Sequence, residues 1–240
     1  ACFSNAGQLC ISIERIYIEK DIADEFTQKF AEEVRKMTLG TAYDFSVGMG
    51  SLISEGQVKS VSDHVDDATA KGAKVIAGGK ARPDIGPLFY EPTVLTDVTP
   101  EMDCAVNETF GPLVSIYPVS DIDEAVEKAN DTEYGLNASV WAGSTAEGEK
   151  IAARLRSGTV NVDEGYAFAW GSLSAPMGGM GISGVGRRHG PEGLLKYTES
   201  QTIATARGLN LDAPFGMPDA LWQKSLLPMV RLVMRLPGRN

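Results

Sequence analysis

The sequence predicts an α/β fold, a mostly parallel sheet with helices on both faces. Three observations carry it. Short β-branched runs alternate with amphipathic stretches of roughly four-residue period, polar residues open those stretches and glycines close them, and 43% hydrophobic side chains over 240 residues suffice for one sizeable core. Strands linked in this way by helices make right-handed crossovers, which leave them parallel and cover the sheet on both faces.

Residues 11–18 (ISIERIYI) mix alternation with β-branching and predict a strand beginning just after Cys10. Asp21 then opens a helix on which Ile22, Phe26, Phe30, Val34 and Met37 share one face, ending before Gly40. After a loop rich in Gly and Ser, Ser54 and Gln57 have capping-box spacing, and Val58, Val61, Val65 and Ala68 make the apolar face of a second helix that stops at Gly72. Residues 74–77 read as a short strand, and 90–98 and 112–119 as longer ones. Asp121 with Glu124 caps a third helix carrying Ala125, Val126 and Ala129. A strand over 138–141 precedes a fourth helix, opened by Ser144 with Glu147, carrying Ile151, Ala152 and Leu155, and closed by Gly158; a strand over 159–163 leads into a glycine-rich region.

Composition excludes several classes. With 32 acidic against 22 basic residues the net charge is -10, which repels a phosphate backbone, so nucleic acid is not an expected partner. Cys2, Cys10 and Cys104 are odd in number and lack metal-ligand spacing, and only His64 and His189 are present, so neither a disulfide framework nor a metal site is expected. That cysteine usage fits a reducing cytoplasm, there is no signal-peptide pattern, and no run of 18 apolar residues predicts a spanning helix. Ala1 is not Met and leads straight into an element, so a piece of a longer chain is expected.

Beyond residue 206 the character changes. Arg207, Lys224, Arg231, Arg235 and Arg239 face only Asp212 and Asp219, a balance of +3 that leaves -13 on residues 1–206. The apolar stretch 221–236 is interrupted by Pro228 and is expected to form two short amphipathic segments, read as a partner-subunit contact ahead of a membrane-surface one.

The sharpest local feature is the turn FSNAGQLC, which delivers Cys10 to the start of a strand among small polar neighbours. An accessible thiol is a good nucleophile because a few per cent is thiolate near neutral pH; free cysteine is equally among the most buried residue types, so a packed, inert Cys10 is the competing reading. Cys104 reads as a packed small hydrophobe.

Asn5, Gly7, Gln8 and Cys10, as N-x-G-Q-x-C, resemble the nucleophile loop of the aldehyde dehydrogenase superfamily. Three further segments follow in order. Glu108, Phe110, Gly111 and Pro112 resemble its E-x-F-G-P segment; Asn130, Tyr134, Gly135 and Leu136 its N-x-x-x-Y-G-L segment; and Pro176, Gly178, Gly179, Ser183 and Gly184 its P-F-G-G-x-x-x-S-G loop. The resemblance covers residues 1 to about 206. It implies a catalytic domain over 1–198, an oligomerisation strand over 199–206 and a tail over 207–240, with the amino-terminal cofactor-binding half absent.

By that resemblance Cys10 attacks an aldehyde carbon, hydride leaves for NAD or NADP, and the remaining thioester is hydrolysed to an acid. Glu108 matches the residue that hydrogen-bonds the nicotinamide ribose, and Phe110 the aromatic beside the nicotinamide. The family's oxyanion-binding Asn and its general-base Glu precede the nucleophile and lie outside this chain. Phe168, with Tyr166 and Trp170, is placed at the aldehyde entrance, where core or interface packing is the alternative for the latter two. Residues 199–206 (ESQTIATA), from Glu199 onward, resemble the strand that pairs with a neighbouring subunit, which implies a homo-oligomer.

Gly179, Gly181 and Gly184 formally satisfy G-x-G-x-x-G, but no strand precedes them and Arg187, Arg188 and His189 follow, so tight turns are expected instead of a dinucleotide loop. Asp163 and Gly181 depart from the family's common Asn and Lys. The run EGYAFAWG, APMGGM and GRRHG is similar to a branch of succinate-semialdehyde dehydrogenases, although Ser4 stands where an Arg binds the substrate carboxylate in other members. Two other classes compete: a cofactor-independent thiol hydrolase, which would turn over without NAD(P), and a non-catalytic assembly module, in which nothing depends on Cys10.

Overall fold

A computed structural model describes residues 1–44, 46–205 and 213–235. Two compact units are present, Ala1–Thr198 and Glu199–Asn240. The first has the α/β pattern: β1 (Arg15–Glu19), α1 (Lys20–Arg35), α2 (Glu55–Ala70), β2 (Lys74–Ala77), β3 (Thr93–Thr96), α3 (Asp103–Val106), β4 (Leu113–Val119), α4 (Ile122–Asn130), β5 (Asn137–Val140), α5 (Thr145–Ala152), β6 (Thr159–Val162), α6 (Ala167–Gly171) and α7 (Gly190–Leu195).

Among the described residues there are two sheets instead of one continuous one, in the orders β1-β4-β3-β2 and β5-β6. All pairings are parallel except β2 with β3, whose register slips between Val75 and Ala77. Leu113, Val114, Ser115 and Ile116 of the central strand β4 are all buried. Successive side chains point to opposite faces, so both faces of that strand are covered. Its neighbour β3 contributes the fully buried Val94 and Leu95, and α2 brings Val61, Val65 and Ala68 into the same core.

Three helix starts follow the local rules. Ser54, Asp121 and Ser144 each accept a hydrogen bond from the backbone N–H three residues on. Other expectations are corrected. The first strand begins at Arg15, not after Cys10, because Ile11 to Ile13 remain in the turn that carries the cysteine. Of the face expected on the first helix, Phe26, Phe30, Val34 and Met37 pack on the core, with Ala23 and Ala31 buried beside them, and only Ile22 is exposed. The stretch predicted as a strand over 90–98 pairs as β3 only over Thr93–Thr96, and α5 ends at Ala152, short of Leu155.

In the second unit, α8 (Asp219–Val233) runs through Pro228 as one helix, not two segments. A single proline removes one donor and crowds one carbonyl, and strong helix formers on either side outweigh that cost. The strand expected over 199–206 is not formed over residues 199–205, and Ala206 lies outside the described residues. A strand needs a ladder partner, and one chain offers none there among the described residues. None of the described helices is long and apolar enough to cross a membrane.

Candidate active site

The segment ahead of Cys10 is a compact turn, Ser4–Gly7, in which Asn5 (φ 53°), Ala6 (φ 55°) and Gly7 (φ 72°) are successively left-handed. For the two non-glycine residues this costs of order 1 kcal/mol each and persists only if the surroundings enforce it. Asn5 and Gln8 do so. Asn5 Nδ2 donates to the Gln8 carbonyl (3.2 Å) and Gln8 Nε2 to that of Asn5 (3.0 Å), while Gln8 Oε1 accepts from the Ile53 N–H (2.8 Å). Asn137 Nδ2 holds the Ile11 carbonyl just beyond the cysteine (3.0 Å). At Gly7 a Cβ would lie 2.0 Å from the Gly111 carbonyl oxygen, so the cysteine turn packs backbone to backbone on the 108–112 segment.

Cys10 is exposed, whereas Cys2 and Cys104 are buried. Burial pushes the Cys2 thiol up to about 11, and burial also raises that of Cys104. The accessible thiol among the three is therefore Cys10.

Glu108 is exposed, and its N–H donates to the Tyr134 hydroxyl (3.4 Å). The next two residues are held from three directions. Glu14 accepts from the Thr109 N–H on one carboxylate oxygen and from the Phe110 N–H on the other, both at 2.9 Å. Gln57 Nε2 donates to the carbonyls of Thr109 (2.8 Å) and Phe110 (3.0 Å), and His64 Nδ1 lies 3.0 Å from the Thr109 hydroxyl. Gln57 thus does not complete its expected capping box: its side chain reaches across to this turn. Phe110, half-buried, has φ 49°. Burial raises the Glu14 carboxyl, partly offset by the two amides that bond it. The sequence reading missed Glu14, Gln57 as a brace, and His64. Local sequence carries no signal for Glu14, which falls on the polar phase of the alternating run ISIER.

Cys10 and Glu108 line one cleft of about 1260 Å³ within the first unit, together with Tyr134, Asn137 and Trp141. Phe110 and the three aromatics after β6 do not line it. Tyr166 precedes α6, and Phe168 and Trp170 lie on it, 75% and 50% exposed. The Glu164 carboxylate accepts from the Ala167 N–H at the start of this helix (2.6 Å), and the Trp170 ring faces the Arg188 guanidinium at 4.9 Å.

The glycine-rich loop is used for turns. Its Met180 and Ile182 N–H groups bond the carbonyls of Gly135 (2.8 Å) and Glu133 (3.0 Å), and Ser183 Oγ accepts from the Gly135 N–H (3.0 Å). Gly181 has φ 60°, and a Cβ there would lie 2.1 Å from the Glu133 carbonyl oxygen, which accounts for glycine where the resemblance expects Lys. Asp163 sits at φ 56°, a conformation that Asn and Asp tolerate. Among the described residues no cluster of His, Cys, Asp and Glu could hold a metal ion.

A mostly parallel α/β core that presents an exposed cysteine on a braced turn defines an α/β domain with an accessible thiol. The model of the aldehyde dehydrogenase family matches residues 1–203, and the chain belongs to that family. The chain is 87% identical over all its 240 residues to a Mycobacterium ulcerans (strain Agy99) protein named "Putative succinate-semialdehyde dehydrogenase (NADP(+)) 2", and 73% identical over 239 residues to a similarly named protein of Mycolicibacterium smegmatis. It spans 46% of the length of each, about half of these curated relatives. Among solved structures it resembles a Mycobacterium tuberculosis aldehyde dehydrogenase complexed with NAD+ (TM-score 0.81, 33% identity, 87% of this chain and 42% of that one). It also resembles a Staphylococcus aureus betaine aldehyde dehydrogenase in complex with NAD+ (TM-score 0.76, 35% identity, 80% and 38%).

Proposed function

We propose that these residues are the cysteine-bearing portion of an NAD(P)-dependent aldehyde dehydrogenase that oxidises succinate semialdehyde to the dicarboxylic acid. The observation that carries this reading is the exposed Cys10 on the same cleft as Glu108, with the cysteine turn packed directly on the segment that holds Glu108. The Cys10 thiolate attacks the aldehyde carbon to form a thiohemiacetal, and the thioester left after oxidation is cleaved by water, which divides one hard oxidation into two easier steps. When bound, the nicotinamide cofactor supplies the hydride acceptor. The residues present fit its ribose end. Glu108 offers an exposed acceptor for ribose hydroxyls, and Phe110 a half-buried ring for the adjacent heterocycle. Phosphate binding is assigned to polypeptide outside these 240 residues, since the glycine-rich loop is spent on turns. The relatives' names favour NADP and a substrate with a distal carboxylate, and the function requires that outside polypeptide to supply the oxyanion-binding Asn and the general base.

In a full-length polypeptide containing these residues, protein quenched during turnover should carry a succinyl adduct on the Cys10 peptide. Cys10→Ala should remove the adduct and lower aldehyde oxidation by roughly a thousandfold or more. Equal turnover of butyraldehyde would displace succinate semialdehyde as the substrate, and turnover of activated esters alone, without NAD(P), would make the protein a thiol hydrolase.

A further inference from the structure

We propose that Glu14 is a positioning residue that holds the Thr109–Phe110 turn, and with it Glu108 and Phe110, in the conformation that receives the cofactor. The proposal rests on the cofactor reading of Glu108 and Phe110 given above. Its geometry is independent of that reading. Glu14 is four residues after Cys10, immediately before β1, and its main-chain carbonyl accepts from the Ser115 N–H (2.9 Å), so it starts the pairing of β1 with β4. From the same residue the side chain crosses 95 positions in sequence to place one carboxylate oxygen on each of two successive amides, at 2.9 Å apiece. The nucleophile's segment and the candidate cofactor turn are therefore tied at one point.

The chemistry of the side chain matters. Two adjacent N–H groups converge on it while Phe110 is left-handed, and only a carboxylate offers two acceptor oxygens to such a pair. A glutamine of the same shape would present its NH₂ to one of the amides. Burial raises the Glu14 carboxyl and the two amides that bond it pull it back; a purely space-filling role would be met better by an apolar side chain. Gln57 holds the carbonyls of the same two residues from the other side, so the turn's polar backbone is engaged on both edges.

The test compares Glu14→Gln, Gln57→Ala, Glu108→Gln and Phe110→Ala in the full-length polypeptide. For Glu14→Gln the expected result is a rise in cofactor KM of roughly tenfold or more, from the loss of a charge-assisted bond. Aldehyde KM and the cofactor-free alkylation rate of Cys10 should stay unchanged, and hydrogen exchange at the Thr109 and Phe110 amides should accelerate. Gln57→Ala should shift cofactor KM in the same direction, and serves alone if Glu14→Gln fails to fold. The proposal is overturned if exchange accelerates while cofactor KM stays fixed, or if both KM values rise and kcat falls together as in general destabilisation. If Glu108→Gln and Phe110→Ala raise cofactor KM and Glu14→Gln does not, the positioning role fails and the cofactor reading stands. If neither of those two variants moves it, the cofactor reading itself fails, and the positioning role with it.

Discussion

Three thiols of one chemical type sit in different surroundings. Cys10 is exposed on a turn of small polar residues, while desolvation opposes ionisation of Cys2 and Cys104. With its thiol pushed up to about 11, Cys2 has on the order of one thiolate in a thousand at pH 8. Limited iodoacetamide treatment at that pH should label Cys10 first, read by peptide mapping; preferential labelling of Cys104 would sink the assignment of Cys10 as the nucleophile. The sequence pointed to an accessible Cys10, chiefly through the family resemblance of its turn, and to a packed Cys104, but it did not decide Cys2. Glu14 was not legible, since a carboxylate in the alternating run ISIER reads as the solvent phase of a strand. Only the two amides 95 residues away turn it inward.

The same division between local and distant causes holds for whole elements. Ser54, Asp121 and Ser144 announce their helices because a cap needs only the N–H three residues on, at 3.2, 2.9 and 3.3 Å respectively. Strand limits depend on where a partner starts and stops, and there the sequence reading ran long for β3 and early for β1. Residues 199–205 extend that logic. They are β-prone through Thr202, Ile203 and Thr205, Ile203 is 84% exposed, and none of them joins a described strand. We expect a segment of this kind to act as a template for pairing with another chain. Replacing Ile203 by Pro removes one donor and interrupts continuous pairing, so sedimentation of Ile203→Pro should move toward monomer. Should the variant match the unmodified chain in mass, or the unmodified chain be monomeric already, residues 199–206 are not the interface.

At the scale of the molecule, the division of the strands into two sheets becomes informative. Among the described residues β1 pairs only with β4 and β5 only with β6, so there each has a second edge without a strand partner, and residues 15–18 and Asn137–Val140 both line the 1260 Å³ cleft. That volume exceeds the range of about 300–1,000 Å³ typical of small-molecule pockets. Its walls include Ile13, Ile16, Phe26, Phe30, Ile122 and Leu155, apolar surface of the kind folded interiors keep packed at high density. A substrate the size of a four-carbon aldehyde acid would leave most of it empty, whereas a polypeptide of the relatives' length has the mass to fill it. We expect the additional length that the relatives have to seat in this cleft, which Cys10 and Glu108 also line. Two consequences follow for the 240-residue chain prepared alone: it should bind a hydrophobic dye such as ANS where the full-length polypeptide does not, and calorimetric titration with NAD or NADP should detect weak binding at most, with negligible aldehyde oxidation. Micromolar cofactor affinity in the isolated chain would move the phosphate-binding groups into these residues, and a dye-silent chain would mean that the two sheet edges close on each other without any added segment.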